Sequence, residues 1–240
     1  MEAKAIFLPT TILLNLALLA WWYFRVSDLM FIILALVVLN LLLAGWLNKF
    51  RGHWWNFSFF PITFYLSSLA YSLIVSQVEL MVIIIIFVWL GLIFYWRLVF
   101  AYLIKTDIYR PFSLEKFFSF FSFLTFFFLA SAAYGLKTFI DLPTWQLLIG
   151  FVILEIIIIY QWWWINKMTW QVAWPYALVL LVVLAELFLT FNLLPINFNL
   201  SGFLIASSWH GLAFLSSENL SGQLTKTRSR FINDSLVLIL

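Results

Sequence analysis

The sequence predicts an all-α membrane protein, a polytopic bundle of about eight transmembrane helices followed by the start of a ninth. Hydrophobic residues make up 65% of the 240 residues and charged residues only 10%, against about 45–50% and about 25% in ordinary globular domains. Apolar stretches of about 20 residues, the length that crosses ~30 Å of hydrocarbon as a helix, recur along the chain. Residues 80–96 are continuously apolar, whereas the strands of a membrane barrel would alternate.

The eight stretches form a single integral membrane domain, residues 1–240, because no segment is long and polar enough for a soluble domain. The predicted spans are 5–24, 28–47, 57–76, 80–103, 117–136, 144–165, 172–192 and 199–217. The first is predicted to be retained, since Trp-Trp-Tyr-Phe-Arg follows it where signal-peptide cleavage needs small residues. Near the start of a span a missing backbone N–H costs nothing, and this is where we place Pro9, Pro61, Pro143 and Pro175.

The distribution of Lys and Arg predicts the orientation. With eight spans, one side of the membrane receives ten basic residues and the other only Arg25 and Lys137. Cytoplasmic loops carry the excess of Lys and Arg, so we expect a cell (inner or plasma) membrane protein with a cytoplasmic N-terminus. The bilayer is the expected partner. The net charge of +3 is too dispersed to predict nucleic-acid binding.

Tryptophan clusters fall at the predicted ends of spans. An amphipathic ring with one N–H donor is most favourable at the membrane boundary, so an anchoring role is favoured over an aromatic ligand-binding cage. Arg97, near the cytoplasmic end of the fourth span, is expected to extend its guanidinium to the headgroups. The predicted interfacial anchors are Arg97, Trp162, Trp163, Trp164, Trp170 and Trp174.

Besides Arg97, three acidic or imidazole side chains lie well inside predicted spans: Glu155, Glu186 and His210. A charge at a span centre costs about 2.5–3.5 kcal/mol on insertion scales, so such residues usually mark ion or proton pathways. One interpretation is therefore a proton or cation pathway on three consecutive helices. The other is a structural cluster in which a glutamic acid donates to a backbone carbonyl or to Ser207, Ser208 or Asn192.

Two short features concern packing and the membrane surface. Small residues at Ala130, Ala133 and Gly135, and at Ala206, Ser207 and Gly211, predict faces where helices approach closely. The polar segment 105–116 is interpreted as a charged connector, with binding of anionic headgroups as the alternative. Residues 218–240 are predicted as a cytoplasmic loop and the start of a further span, and we hypothesise that the chain is truncated at Leu240.

No motif of a known enzyme class is present, so catalysis is not expected, although enzymatic activity stays open. Cysteine is absent and the two histidines lie far apart, so no metal site and no cofactor is expected. The favoured function is transport, or proton- or cation-coupled activity, through Glu155, Glu186 and His210. The alternative is a non-catalytic structural or assembly subunit of a membrane complex, and the third is a lipid-modifying enzyme. A membrane-protein partner and a homo-oligomer both stay open.

The C-terminal part of the chain contains Leu194, Pro195, Asn197, Phe198, Gly202, Trp209, Gly222, Leu224, Thr225 and Lys226. In these residues the chain resembles a family of uncharacterised multi-pass membrane proteins of small-genome uncultured bacteria. The resemblance covers about 40 residues. It implies a bacterial inner membrane and a further short apolar stretch beyond the basic segment, but no activity and no functional residues.

Overall fold

A computed structural model describes residues 55–103, 109, 112–167 and 170–221 of the chain. Every regular element in this part is an α-helix, so the predicted all-α class is confirmed for these residues. The six helices are α1 Trp55–Ser72, α2 Val78–Leu103, α3 Ser113–Ile140, α4 Thr144–Ile165, α5 Trp170–Leu193 and α6 Phe198–Ser221.

The helices fall on the third to eighth predicted spans. Their ends differ from the predicted ones by up to four residues, and α4 coincides with the predicted span 144–165. The predicted spans 5–24 and 28–47 and the segment 222–240 lie outside the described residues. The total of about eight spans therefore stays a prediction.

Four of the helices, α2 to α5, are long and apolar enough to cross a membrane. By length and composition, this is the pattern of an integral membrane protein. The remaining helices, α1 and α6, are richer in Ser and Thr. Several of these hydroxyls donate to a carbonyl one turn earlier in the same helix, as Thr63, Ser67 and Ser208 do. These hydroxyl groups therefore have hydrogen-bond partners within their own helix, which allows both helices to pack inside the bundle.

The α3–α6 interface is the most extensive helix contact among the described residues. Ala130 and Ala206 are fully buried, as the small-residue faces predicted. The prediction was wrong for Ser207, which is exposed, and for Gly211, where an added Cβ would meet no atom within 4 Å. The glycine of α6 that contacts α3 is Gly202, one helical turn before Ala206. Residues four apart share a helix face, so Gly202 and Ala206 both face α3. Ser207 is rotated by ~100° from Ala206 about the helix axis and therefore faces away.

Pro61 lies inside α1, seven residues into the helix, and not at its start. Its missing N–H therefore leaves the carbonyl of Phe57 without the usual partner four residues later. The hydroxyl of Tyr95 on α2 donates to that carbonyl at 2.8 Å. Pro175 also lies inside its helix, α5. We expected the missing N–H of Pro61 and Pro175 to lie at the start of a helix, where it costs nothing, and this expectation was wrong. At Pro61, the carbonyl that lacks a partner within α1 accepts a hydrogen bond from α2 instead.

Candidate functional site: a buried carboxyl group in α4

Glu155 occupies the middle of α4. It lies about 15–16 Å from either end of the helix at 1.5 Å per residue, and its side chain is 0% exposed. Phe151, Ile158 and Trp162, which lie four residues before and three and seven residues after it, are also buried. Glu155 therefore belongs to the face of α4 that packs into the bundle.

Aromatic rings from four helices line the interior above and below the level of Glu155. Phe151, one turn before it, stacks on Phe188 of α5 at 4.6 Å between ring centroids. Trp162, two turns after it, packs edge-on against Trp209 of α6 at 6.1 Å. Phe126 of α3 links these two aromatic pairs, since its ring contacts both Phe151 and Trp209. The carboxyl group thus sits on a helix face bounded by aromatic rings.

Neither carboxyl oxygen of Glu155 has a hydrogen-bond partner in the part of the chain that the structure describes. Asn192 and Ser208, offered as partners by the sequence, are bonded elsewhere, to Thr144 and to the Leu204 carbonyl. Ser207 is exposed. An enclosed carboxylate charge without a partner costs several kcal/mol. Among the described residues, Glu155 has no hydrogen-bond donor that would compensate a charge on its carboxyl group.

Glu186 and His210 lie elsewhere. Glu186 is exposed on α5, two residues from the fully buried Leu184 and Phe188, so it points away from the stripe that packs into the bundle. His210 is half-buried on α6, with its ring 6.2 Å from that of Phe123. The structure does not bring these two side chains to the face of α4 that carries Glu155.

The predicted anchors occupy several environments. Arg97 and Trp174 are exposed, and Trp164 is half-buried. Trp162 and Trp163 are buried inside the protein. The side chain of Trp170 lies outside the described residues. The anchoring role of these residues stays a prediction, and Trp162 and Trp163 clearly contribute to core packing as well.

A cavity of about 380 Å³ lies where the ends of α2 and α4 meet the start of α3. Among the described residues, its walls include four aromatic residues, one acidic residue and one basic residue. They include Tyr102, Tyr160, Trp163, Trp164, Glu115 and Lys167. The sequence places Glu115 in the polar segment 105–116 and gives no sign that Lys167 lies near it. Their common cavity depends on the packing of α3 against α4, which no local pattern predicts.

Among the described residues no group of three His, Cys, Asp or Glu side chains could hold a metal ion. No protein-family model matches the chain, and neither a curated protein nor a solved structure matches it. The C-terminal resemblance stays a prediction.

Proposed function

We propose that the protein is a multi-pass transporter in which Glu155 takes up and releases a proton or a small cation. The observation that carries this proposal is the fully buried, mid-helix carboxyl group with two unpartnered oxygens. Titratable residues at such a depth are costly and usually serve ion or proton movement. Glu155 acts alone at the centre of this proposal, since Glu186 and His210 lie on other faces.

Stability gives little reason to keep a carboxyl group at this position. Hydrogen bonds between membrane helices contribute only ~0.6 kcal/mol on average, and Glu155 makes none with the described residues. By contrast, Gln161 lies on the same helix and donates to the Asn56 carbonyl at 2.9 Å. The amide nitrogen of Gln161 thus has a partner, although its oxygen has none among the described residues.

The proposal includes the cellular location. The ten-to-two distribution of basic residues supports a cytoplasmic N-terminus under the positive-inside rule, and the C-terminal resemblance supports a bacterial inner membrane. In this orientation the end of α4 that carries Lys167 faces the cytoplasm. A proton or cation at Glu155 would then lie near the middle of the bilayer.

The test uses the full chain reconstituted in vesicles that contain a trapped pH-sensitive dye. A gradient of Na⁺, K⁺ or Li⁺ is imposed and the internal pH is recorded. We expect one cation to change the pH several-fold faster than in empty vesicles, and Glu155→Gln to lower that rate by at least about tenfold, since a neutral amide cannot exchange a proton. Glu186→Gln is the matched control and is expected to keep the wild-type rate.

A second measurement is needed in case the transporter requires another solute and does not respond to these cations. A hydrophobic carbodiimide adds to a protonated carboxyl group to give an O-acylisourea, and mass spectrometry of peptides locates the adduct. We expect labelling at Glu155 that declines as pH rises. Vesicles that respond like empty ones to every cation, together with no adduct at Glu155, would contradict the proposal and favour the alternative of a structural or assembly subunit.

A further inference from the structure

The cavity at the cytoplasmic end of α4 has charges of both signs and aromatic walls. We infer that it binds the headgroup of a zwitterionic phospholipid of the phosphatidylethanolamine type, with the ammonium group at Glu115 and the phosphate at Lys167. This inference is independent of the role proposed for Glu155. It concerns a different part of α4, the last two turns, where Tyr160, Trp163 and Trp164 line the cavity.

The acidic side of the cavity is built to hold a cation. The Tyr109 hydroxyl donates to Oε2 of Glu115 at 3.3 Å and lies 3.4 Å from the Leu114 backbone N–H that donates to it. Burial raises the pKa of the Tyr109 phenol above its ordinary value, so this hydroxyl stays a donor at neutral pH. It orients the carboxylate through one oxygen, and no hydrogen bond to the other oxygen is found within the described part of the chain. Aromatic faces beside a carboxylate favour an ammonium group further.

The aromatic walls are fixed by contacts outside the cavity. Trp164 packs edge-on against Phe57 of α1 at 4.8 Å. Tyr102 of α2 packs in the same manner against Tyr109 at 5.2 Å. Side chains held in this way lose little freedom when a ligand binds, which favours binding.

The basic side of the cavity is set by the end of α4. Lys167 adopts the left-handed conformation, with φ 57°, and its backbone N–H donates to the Trp164 carbonyl at 3.0 Å. This turn folds the chain back at the end of the helix, and Lys167, which is exposed, lines the same cavity as Glu115. An ammonium side chain is a common partner of phosphate oxygens.

Size and position favour a lipid headgroup over a larger ligand. The volume of about 380 Å³ lies near the lower end of small-molecule sites, about 300–1,000 Å³. The cavity lies at the ends of two membrane-length helices, the level at which headgroups are found. An anionic headgroup without an ammonium group would place no positive charge against Glu115.

Lipid binding to the purified full chain is measured by native mass spectrometry after removal of bound lipid. Phosphatidylethanolamine and phosphatidylglycerol with identical acyl chains are titrated separately. We expect Glu115→Gln to weaken binding of phosphatidylethanolamine by about tenfold, as the loss of an ammonium–carboxylate contact predicts, and to leave phosphatidylglycerol unchanged. Lys167→Gln removes the phosphate contact and is expected to weaken both lipids.

Glu79→Gln and Lys116→Gln are matched controls, since both residues are exposed and neither lines the cavity. Both should bind like the wild type, and melting temperatures check that every variant is folded. If Glu115→Gln fails to fold, Tyr109→Phe replaces it and should weaken only phosphatidylethanolamine. Equal effects of Glu115→Gln on the two lipids would overturn the inference. Free phosphoethanolamine that binds as tightly as the lipid would overturn the assignment to a membrane lipid.

Discussion

Gly202 of α6 lies directly against Ser131 of α3. A Cβ added at Gly202 would contact the Ser131 hydroxyl, lie 2.8 Å from the Ser131 backbone nitrogen and lie 3.0 Å from the Phe127 carbonyl oxygen. Two of these neighbours are backbone atoms, which cannot move aside as the end of a flexible side chain can. The two helices approach each other this closely only because residue 202 has no side chain.

Gly202→Ala is therefore expected to destabilise the protein. Overpacking of a helix contact costs about 1–3 kcal/mol, and the gain of up to about 1 kcal/mol in helix propensity offsets only part of it. Gly211→Ala on the same helix meets no atom within 4 Å and should be neutral or stabilising. Thermal melts of the purified protein in detergent measure both variants, and a shift of the same sign in both would contradict the packing described for α3 and α6.

Glu155→Leu is expected to raise the melting temperature. The substitution removes a buried polar group without a partner, which costs about 1–3 kcal/mol by protein mutational data. Gln161→Leu on the same helix is the control. It removes a bond of 2.9 Å to the Asn56 carbonyl and should lower stability by about 0.5–1.5 kcal/mol. If Glu155→Leu melts as low as Gln161→Leu, Glu155 serves as a structural bond and the proposed function loses its main support.

Ser122→Ala tests the polar contact between α3 and α6. The Ser122 hydroxyl donates to the Ser119 carbonyl and accepts the indole N–H of Trp209 at 3.2 Å. Alanine leaves this buried N–H without a partner, so we expect a loss of about 1–2 kcal/mol. Among the described residues, the Ser208 hydroxyl bonds only within its own helix, so Ser208→Ala should change stability by less than about 0.5 kcal/mol. Equal losses in the two melts would show that the Trp209 bond carries no stability.

The sequence predicts where each described helix begins and ends far better than it predicts which side of the helix is buried. The span 144–165 matches α4 residue by residue, because Pro143 precedes it and its apolar run has clear limits. Glu155 and Glu186 are equally visible as charges in apolar runs, yet one is enclosed and the other exposed. Helices that are apolar on every side carry no signal for which side is buried. For the same reason, the sequence did not predict the contact at Gly202 or the cavity that Glu115 and Lys167 share.

Tyr95→Phe is expected to destabilise the protein by about 1–3 kcal/mol, since it leaves a buried carbonyl unpaired. The Phe57 carbonyl depends on the Tyr95 hydroxyl at 2.8 Å because Pro61 has no N–H to offer it. A thermal melt of the variant measures the loss. The matched comparison is Tyr134→Phe. The Tyr134 hydroxyl donates to the Phe188 carbonyl at 2.9 Å, and Asn192, four residues after Phe188, can donate its own backbone N–H to the same oxygen. Tyr134→Phe is therefore expected to lower stability less than Tyr95→Phe does.

A double-mutant cycle with Pro61→Ala distinguishes this explanation from a general loss of packing. Alanine at position 61 restores an N–H four residues after Phe57, so the carbonyl gains a partner within α1. In that background Tyr95→Phe should cost at least about 1 kcal/mol less than in the wild type, a coupling within the range seen for residues in one network. Equal costs in both backgrounds would mean that the Tyr95 hydroxyl stabilises the protein through a partner other than the Phe57 carbonyl, and the missing N–H of Pro61 would not explain the bond.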